Sequence, residues 1–183
     1  SNNSHISFNI KMKLSLLHLP IAAMLFCTSC GVNNNYSSSS TPSAPYQVAV
    51  VKEFKYKVSE PSANGATLTK EFTSVLNEEI QTLKGFSKVT EGSYSGRAVR
   101  IEGDVTLLEE GNSALRIGLG MGLGKSHFYC TTRFIDNTTG KLIGTFEVER
   151  SSKQGVAGIA DNFPLIRRSA ACDIAEKVTE FTK

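Results

Sequence analysis

The first 52 residues of this chain contain no Asp or Glu, so all 17 acidic residues fall from Glu53 onward. That split decides where a folded domain can lie and what it can do. Cutting the chain before Cys30 removes only Lys11 and Lys13, leaving 18 basic against 17 acidic residues. The remaining domain is near neutral, and nucleic acid, which needs a clustered basic face to displace counterions, gets no support as a partner from this balance; none is expected. His5 and His18 belong to the removed stretch, so His127 alone is left for a triad, a metal site or general-base work. We therefore expect no catalytic residue, no metal site and no cofactor. A length of 183 residues suits one globular domain with appendages.

Residues 1–29 read as upstream sequence followed by a signal peptide. Ser1 to Lys11 show no structural pattern, and Met12 is the expected start. Lys13 then supplies a basic segment, Leu14 to Phe26 an apolar run too short to remain as a membrane-spanning helix, and Thr28 and Ser29 the small residues before Cys30. The ending Phe26-Cys27-Thr28-Ser29-Cys30-Gly31 resembles a bacterial lipobox, in which the cysteine after two small residues is acylated and becomes the first residue of the mature protein. Cys30 fits that role better than Cys27, which would place the bulky Phe26 in the cleavage pocket. Several acyl chains on one cysteine anchor stably, each buried methylene adding roughly 0.8 kcal/mol. Gly31 resembles the residue found after the cysteine in outer-membrane lipoproteins, so the expected location is the cell envelope, at the outer membrane facing the periplasm.

Residues 30–45 read as the lipidated cysteine and a flexible tether, because Asn33 to Pro45 lacks apolar periodicity. Such a coil would span roughly 20 Å. Residues 46–183 then form a single domain. Tyr46 to Val58 alternates as a half-buried strand, with Tyr46, Val48, Val50, Phe54, Tyr56 and Val58 inward. Leu68, Phe72, Val75, Leu76, Ile80 and Leu83 recur at helical spacing and stop before Gly85, a fitting C-terminal cap. Phe86 to Thr90 returns as a strand, which implies a parallel crossover. Three further strands place inward Val99, Ile101, Val105 and Leu107; Phe128, Cys130, Thr132 and Phe134; and Leu142, Phe146 and Val148. Asp136 to Gly140 is the hairpin loop between the last two. Ser151 to Ala160 reads as a mobile polar loop. Pro164 opens a closing helix with the stripe Ile166, Ala170, Ile174, Val178 and Phe181. The expected fold class is α+β, a mostly antiparallel sheet of about five strands with two helices packed on one face.

Arg116 to Ser126, Arg-Ile-Gly-Leu-Gly-Met-Gly-Leu-Gly-Lys-Ser, ends like a phosphate-binding loop, but Leu119 stands where a glycine is required and a strand comes next where a helix should. Its strict period of two puts Gly118, Gly120, Gly122 and Gly124 on one face and Ile117, Leu119, Met121 and Leu123 on the other. A bare glycine face admits close approach of another backbone. The readings left open are internal close packing or a plain loop, self-association, and a lipid-facing strand of an oligomeric pore, for which the run is short. Cys130 and Cys172 fall on different faces and read as two separate structural thiols. His127 reads as a strand-edge residue, and Arg167 and Arg168 as solvated surface cations.

Gly111-Asn112-Ser113-Ala114-Leu115-Arg116, the glycine alternation through Gly124, Phe134-Ile135-Asp136 and Thr139-Gly140-Lys141-Leu142 together resemble a family of bacterial lipoproteins carrying domain of unknown function 4410. The likeness covers residues 46 to 181. The family resembles, more remotely, the curli secretion lipoprotein and the lipoprotein activators of penicillin-binding proteins, and the resemblance implies no catalytic residue. The expectation is a non-enzymatic lipoprotein, anchored through acyl chains on Cys30, whose domain binds another envelope protein or itself. The alternatives are a subunit of an oligomeric outer-membrane export channel and, third, a hydrolase or nucleotide-binding enzyme.

Overall fold

The computed structural model describes residues 32–59, 62–111, 125–152 and 163–183. Seven strands form one sheet: β1 (Val32–Ser38), β2 (Val48–Val51), β3 (Lys55–Tyr56), β4 (Lys88–Glu91), β5 (Val99–Glu109), β6 (His127–Asp136) and β7 (Leu142–Ser151). Helix α1 spans Gly65–Thr82, helix α2 spans Phe163–Thr179, and a 3-10 turn at Glu180–Thr182 closes the chain. The strand order is β1-β7-β6-β5-β2-β4, with β3 also pairing β5. The α+β class is as expected, but the sheet is mixed and larger: β1, β7, β6 and β5 run antiparallel, while β2 lies parallel to both β4 and β5.

The elements with a strong period form where the sequence puts them. In α1, Phe72, Leu76 and Ile80 are fully buried, while Leu68 and Val75 pack at the rim of the core and Leu83 is exposed. Phe72 makes the centre, its ring 5.2 Å from Phe54 and 4.7 Å from Phe128. In α2, Ile166, Ala170, Ile174 and Val178 are buried, and Phe181 beyond it stacks at 5.2 Å on Phe134. Phe128, Cys130, Thr132 and Phe134 all point inward from β6 with no exposed surface.

Irregularities at three strands change which residues reach the core. The β5–β6 register slips between Val105 and Leu107, leaving Thr106 as an extra residue, so Leu108 is buried and Leu107 only half-buried. A second slip beside Phe134 and Ile135 buries Ile143 in place of Leu142. In β2, Ala49 and Val51 belong to the core cluster and Val50 is buried outside it. Lys52 to Phe54 interrupt the expected single strand, and β3 resumes the pairing with β5, Lys55 opposite Asp104 and Tyr56 opposite Val105.

Two corrections concern the chain's punctuation. Gly85 does not cap α1 with a left-handed conformation; Lys84 takes that role, with φ 52°. Gly85 is needed because a Cβ there would collide with Thr179 of α2. The larger correction is at residues 32–38, expected within the tether. They form β1, paired residue by residue with β7 from Val32 opposite Arg150 to Ser38 opposite Gly144.

Candidate anchoring and assembly surface

The polar strand β1 holds its place through side chains that its own sequence does not advertise. Arg150 lies on β7 at the same parity as Phe146 and Val148, so the pleat turns it into the protein, where its side chain is 1% exposed. Its guanidinium pairs with Asp173 of α2 and donates to Asn34 Oδ1 of β1 at 2.8 Å, to the Glu149 carbonyl at 2.6 Å and to Ser169 Oγ at 3.3 Å. Asn34 Nδ2 in turn donates to Asp173 Oδ2 at 3.3 Å. A buried charge is tolerable only when paired and hydrogen-bonded, and here three elements must be in place to do it. Two residues on, Tyr36 packs at 6.5 Å on both Phe134 and Phe146, beneath the Lys177 ammonium at 4.7 Å. The absent side chain of Gly144 makes room for the Tyr36 ring. The period-two placement of Arg150 beside Phe146 and Val148 is the sequence signal for this clamp.

At the same end of the sheet lie the starts of β1 and β6 and the ends of β5 and β7, since Val32 is opposite Arg150, Ser151 opposite His127, and His127 opposite Glu109. Beyond the strands the buried Ser126 joins two chain crossings. Its amide donates to Ser152 Oγ at 3.0 Å and its hydroxyl to the Glu110 carbonyl at 2.6 Å, while the Ser152 amide donates to the Ser126 carbonyl at 3.0 Å. The connection from β5 to β6 and that from β7 to α2 therefore leave from one place. Gly118, Gly120, Gly122 and Gly124 belong to the first connection and lie outside the described residues, as do Cys27, Cys30 and most of the loop expected from Ser151 to Ala160.

The opposite end is fastened by the turn that the family resemblance singles out. Asp136 Oδ1 accepts the amides of Thr138 at 3.0 Å and Thr139 at 2.8 Å, while Oδ2 accepts the Tyr46 hydroxyl at 2.6 Å. The Tyr46 bond holds the Asp136 carboxyl below its usual value. Burial, reinforced by that carboxylate, pushes the Tyr46 hydroxyl up to about 12. Asn137 Nδ2 donates to the Tyr94 and Gly96 carbonyls at 2.7 and 3.2 Å, and Arg97 stacks 4.7 Å above the Tyr46 ring. Asp-x-x-Thr-Gly is thus a structural fastening.

The remaining candidates divide. Cys130 is buried and its thiol is pushed up to about 12 by burial, which makes it unreactive; it is not bonded to the half-buried Cys172. His127 is half-exposed at the start of β6. Arg168 is exposed as expected, whereas Arg167 is half-buried, and both are ion-paired. Arg167 donates to the Leu68 carbonyl at 3.1 Å and pairs with Glu71 at 3.0 Å, and Arg168 pairs at 2.7 Å with the buried Glu79, tying α2 to α1. On the face away from the helices, Lys57, Asp104, Arg133, Glu102 and Arg100 form a continuous ion-pair row. Burial opposes the charge on Asp104, but Arg133 and Lys57 prevail and hold its carboxyl below the usual value. Among the described residues no three His, Cys, Asp or Glu side chains are grouped to hold a metal, and no helix is long and apolar enough to cross a membrane.

A helix pair on a mixed sheet, with an added N-terminal edge strand, defines an α+β domain. The chain belongs to the family described as domain of unknown function DUF4410, whose model matches residues 36–155. No curated protein matches it. Among solved structures it is similar to the PelC dodecamer from Paraburkholderia phytofirmans at 12% identity and a TM-score of 0.59, covering 81% of this chain and 98% of that one. A PelC variant dodecamer from the same organism gives 13% identity and a TM-score of 0.57 over the same shares. A protein of family DUF330 from Xanthomonas campestris gives 14% identity and a TM-score of 0.46, covering 79% of this chain and 90% of that one.

Proposed function

We propose that this chain is a non-enzymatic lipoprotein of the bacterial cell envelope, anchored at the outer membrane through acyl chains on Cys30, whose periplasmic domain is an assembly module. It associates with itself or with another envelope protein, without nucleic acid. The observation that carries the reading is the fold shared with PelC over nearly the whole of that chain, a protein that forms dodecamers. In the sequence the glycines at 118, 120, 122 and 124 recur with period two, a pattern that in an extended strand would leave one face bare enough for a neighbouring backbone to approach. A second reading, a subunit of an oligomeric export channel, is favoured by the same dodecameric likeness and by the remote resemblance to the curli secretion lipoprotein.

Light scattering after size exclusion, on a soluble chain beginning at Gly31 so that β1 is kept, tests self-assembly. A discrete large oligomer is expected. Gly120→Val with Gly122→Val should return it to a stable monomer, because branched side chains on a close-packed face cost roughly 1 to 3 kcal/mol at each contact. A parent that is monomeric at high concentration, with no envelope protein crosslinked to it in cells, would sink the proposal. A large oligomer that carries no ion current across a planar bilayer keeps the module and removes the channel.

A further inference from the structure

We infer that the domain is held against the membrane in one fixed orientation, with the end of the sheet formed by Glu109, Lys125, His127 and Ser151 facing the lipid headgroups. The inference rests on acylation of Cys30 and goes beyond it. Only Gly31 separates Cys30 from Val32, the first residue of β1. Two residues reach at most about 7 Å. The acylated residue must therefore lie within that distance of the N-terminal end of an ordered strand, where a free tether would have allowed the domain to tumble.

The strand in question cannot swing outward cheaply. Asn34 is bonded to the buried Arg150 and to Asp173, and Tyr36 is packed on Phe134 and Phe146. These contacts pass the direction of β1 to β7, β6 and α2. Because Val32 is opposite Arg150 and β7 is in register with β6, the membrane-proximal end is also the one at which Glu109 and His127 pair. Its described residues suit the headgroup layer: Glu109 and Glu110 are exposed and Lys125 and His127 half-exposed, a polar rim carrying both signs of charge. The turn at Asp136 to Gly140 occupies the other end, across the ten residues of β6, or about 30 Å at the usual rise per strand residue.

The test uses the full lipoprotein, made in a lipidating bacterial host and reconstituted into phosphatidylcholine vesicles containing a lipid spin-labelled at its headgroup. Environment-sensitive fluorophores are placed singly at Glu109→Cys and Thr138→Cys in a Cys172→Ser background; Cys130 is buried and does not label. Quenching at position 109 should exceed that at 138 severalfold. Inserting ten Gly and Ser residues between Gly31 and Val32 should bring the two values together, since it lengthens the reach without touching the fold. Equal quenching without the insertion, stronger quenching at 138, or a difference that survives the insertion overturns the orientation. Mass spectrometry of the N-terminal peptide separates the two failures. An acylated protein with equal quenching loses only the orientation, whereas a peptide of unmodified mass removes the anchor and the orientation together.

Discussion

Helix α1 and strand β1 reach their places by opposite means. α1 carries its instructions within itself: Phe72, Leu76 and Ile80 are spaced to bury one stripe, and the helix would seek a core wherever one formed. β1 has no such stripe. Val32-Asn33-Asn34-Asn35-Tyr36-Ser37-Ser38 is held by a guanidinium from β7, a carboxylate from α2 and a gap left by a glycine, all supplied by residues more than a hundred positions away. An element can be read from its own residues when its own burial stabilises it. It cannot when the free energy resides in its partners.

Three experiments bear on that contrast. The largest effect is expected for Phe72→Ala, which should lower the unfolding free energy by about 4 kcal/mol in denaturant titration, because the removed ring leaves a cavity between Phe54 and Phe128. Asp173→Ala comes next. It takes the carboxylate from the buried Arg150, at a cost of about 3 kcal/mol, and should expose the amides of β1 to hydrogen exchange while those of α1 stay protected. Equal loss of protection in both would show that β1 and α1 unfold as one unit, and the distinction between them would fail.

The smallest effect is on pH dependence and belongs to the Asp136 end of the sheet. Asp136 and Asp104 have lowered carboxyl values, so their contribution is present above the ordinary carboxylate range near pH 4 and is lost as pH falls through the folded values. Tyr46 and Cys130 have raised values. Their contribution is complete below pH 10.0 and 9.0 respectively and disappears as pH climbs towards about 12. Thermal midpoints should therefore drop on both sides of neutrality, and Asp136→Asn should flatten the acid side. An acid limb unchanged by Asp136→Asn would mean that the turn does not couple to folding.

Legibility in the sequence divides along the same line. The inward residues of β6, the stripe of α2 and the turn at Asp136 to Gly140 come from period and turn chemistry, and all stand where that chemistry puts them. Period alone turns Leu107 and Leu142 inward, but one extra residue in each strand pair hands the core to Leu108 and Ile143, and no local pattern announces such a bulge. Asn-rich β1 reads as coil by composition alone. For the candidate surface, Cys30 and the glycines at 118, 120, 122 and 124 are identifiable from motif and period, yet they lie outside the described residues. What a sequence cannot supply is the common end of the sheet from which their neighbours depart.

The late partner of β1 also sets an order of events. Asn34 and Arg150 are 116 residues apart, so β1, the earliest of the described strands, finds its seat only after β7, the last of them, exists. Closing so long a chain costs entropy that the β6–β7 hairpin, joined by a short turn, does not incur. Until then the outer edge of β7 offers unpaired amides and carbonyls, a template on which a strand of another molecule could settle. An acyl chain that keeps the N-terminus at the membrane would confine β1 near that edge and favour its own chain in the competition.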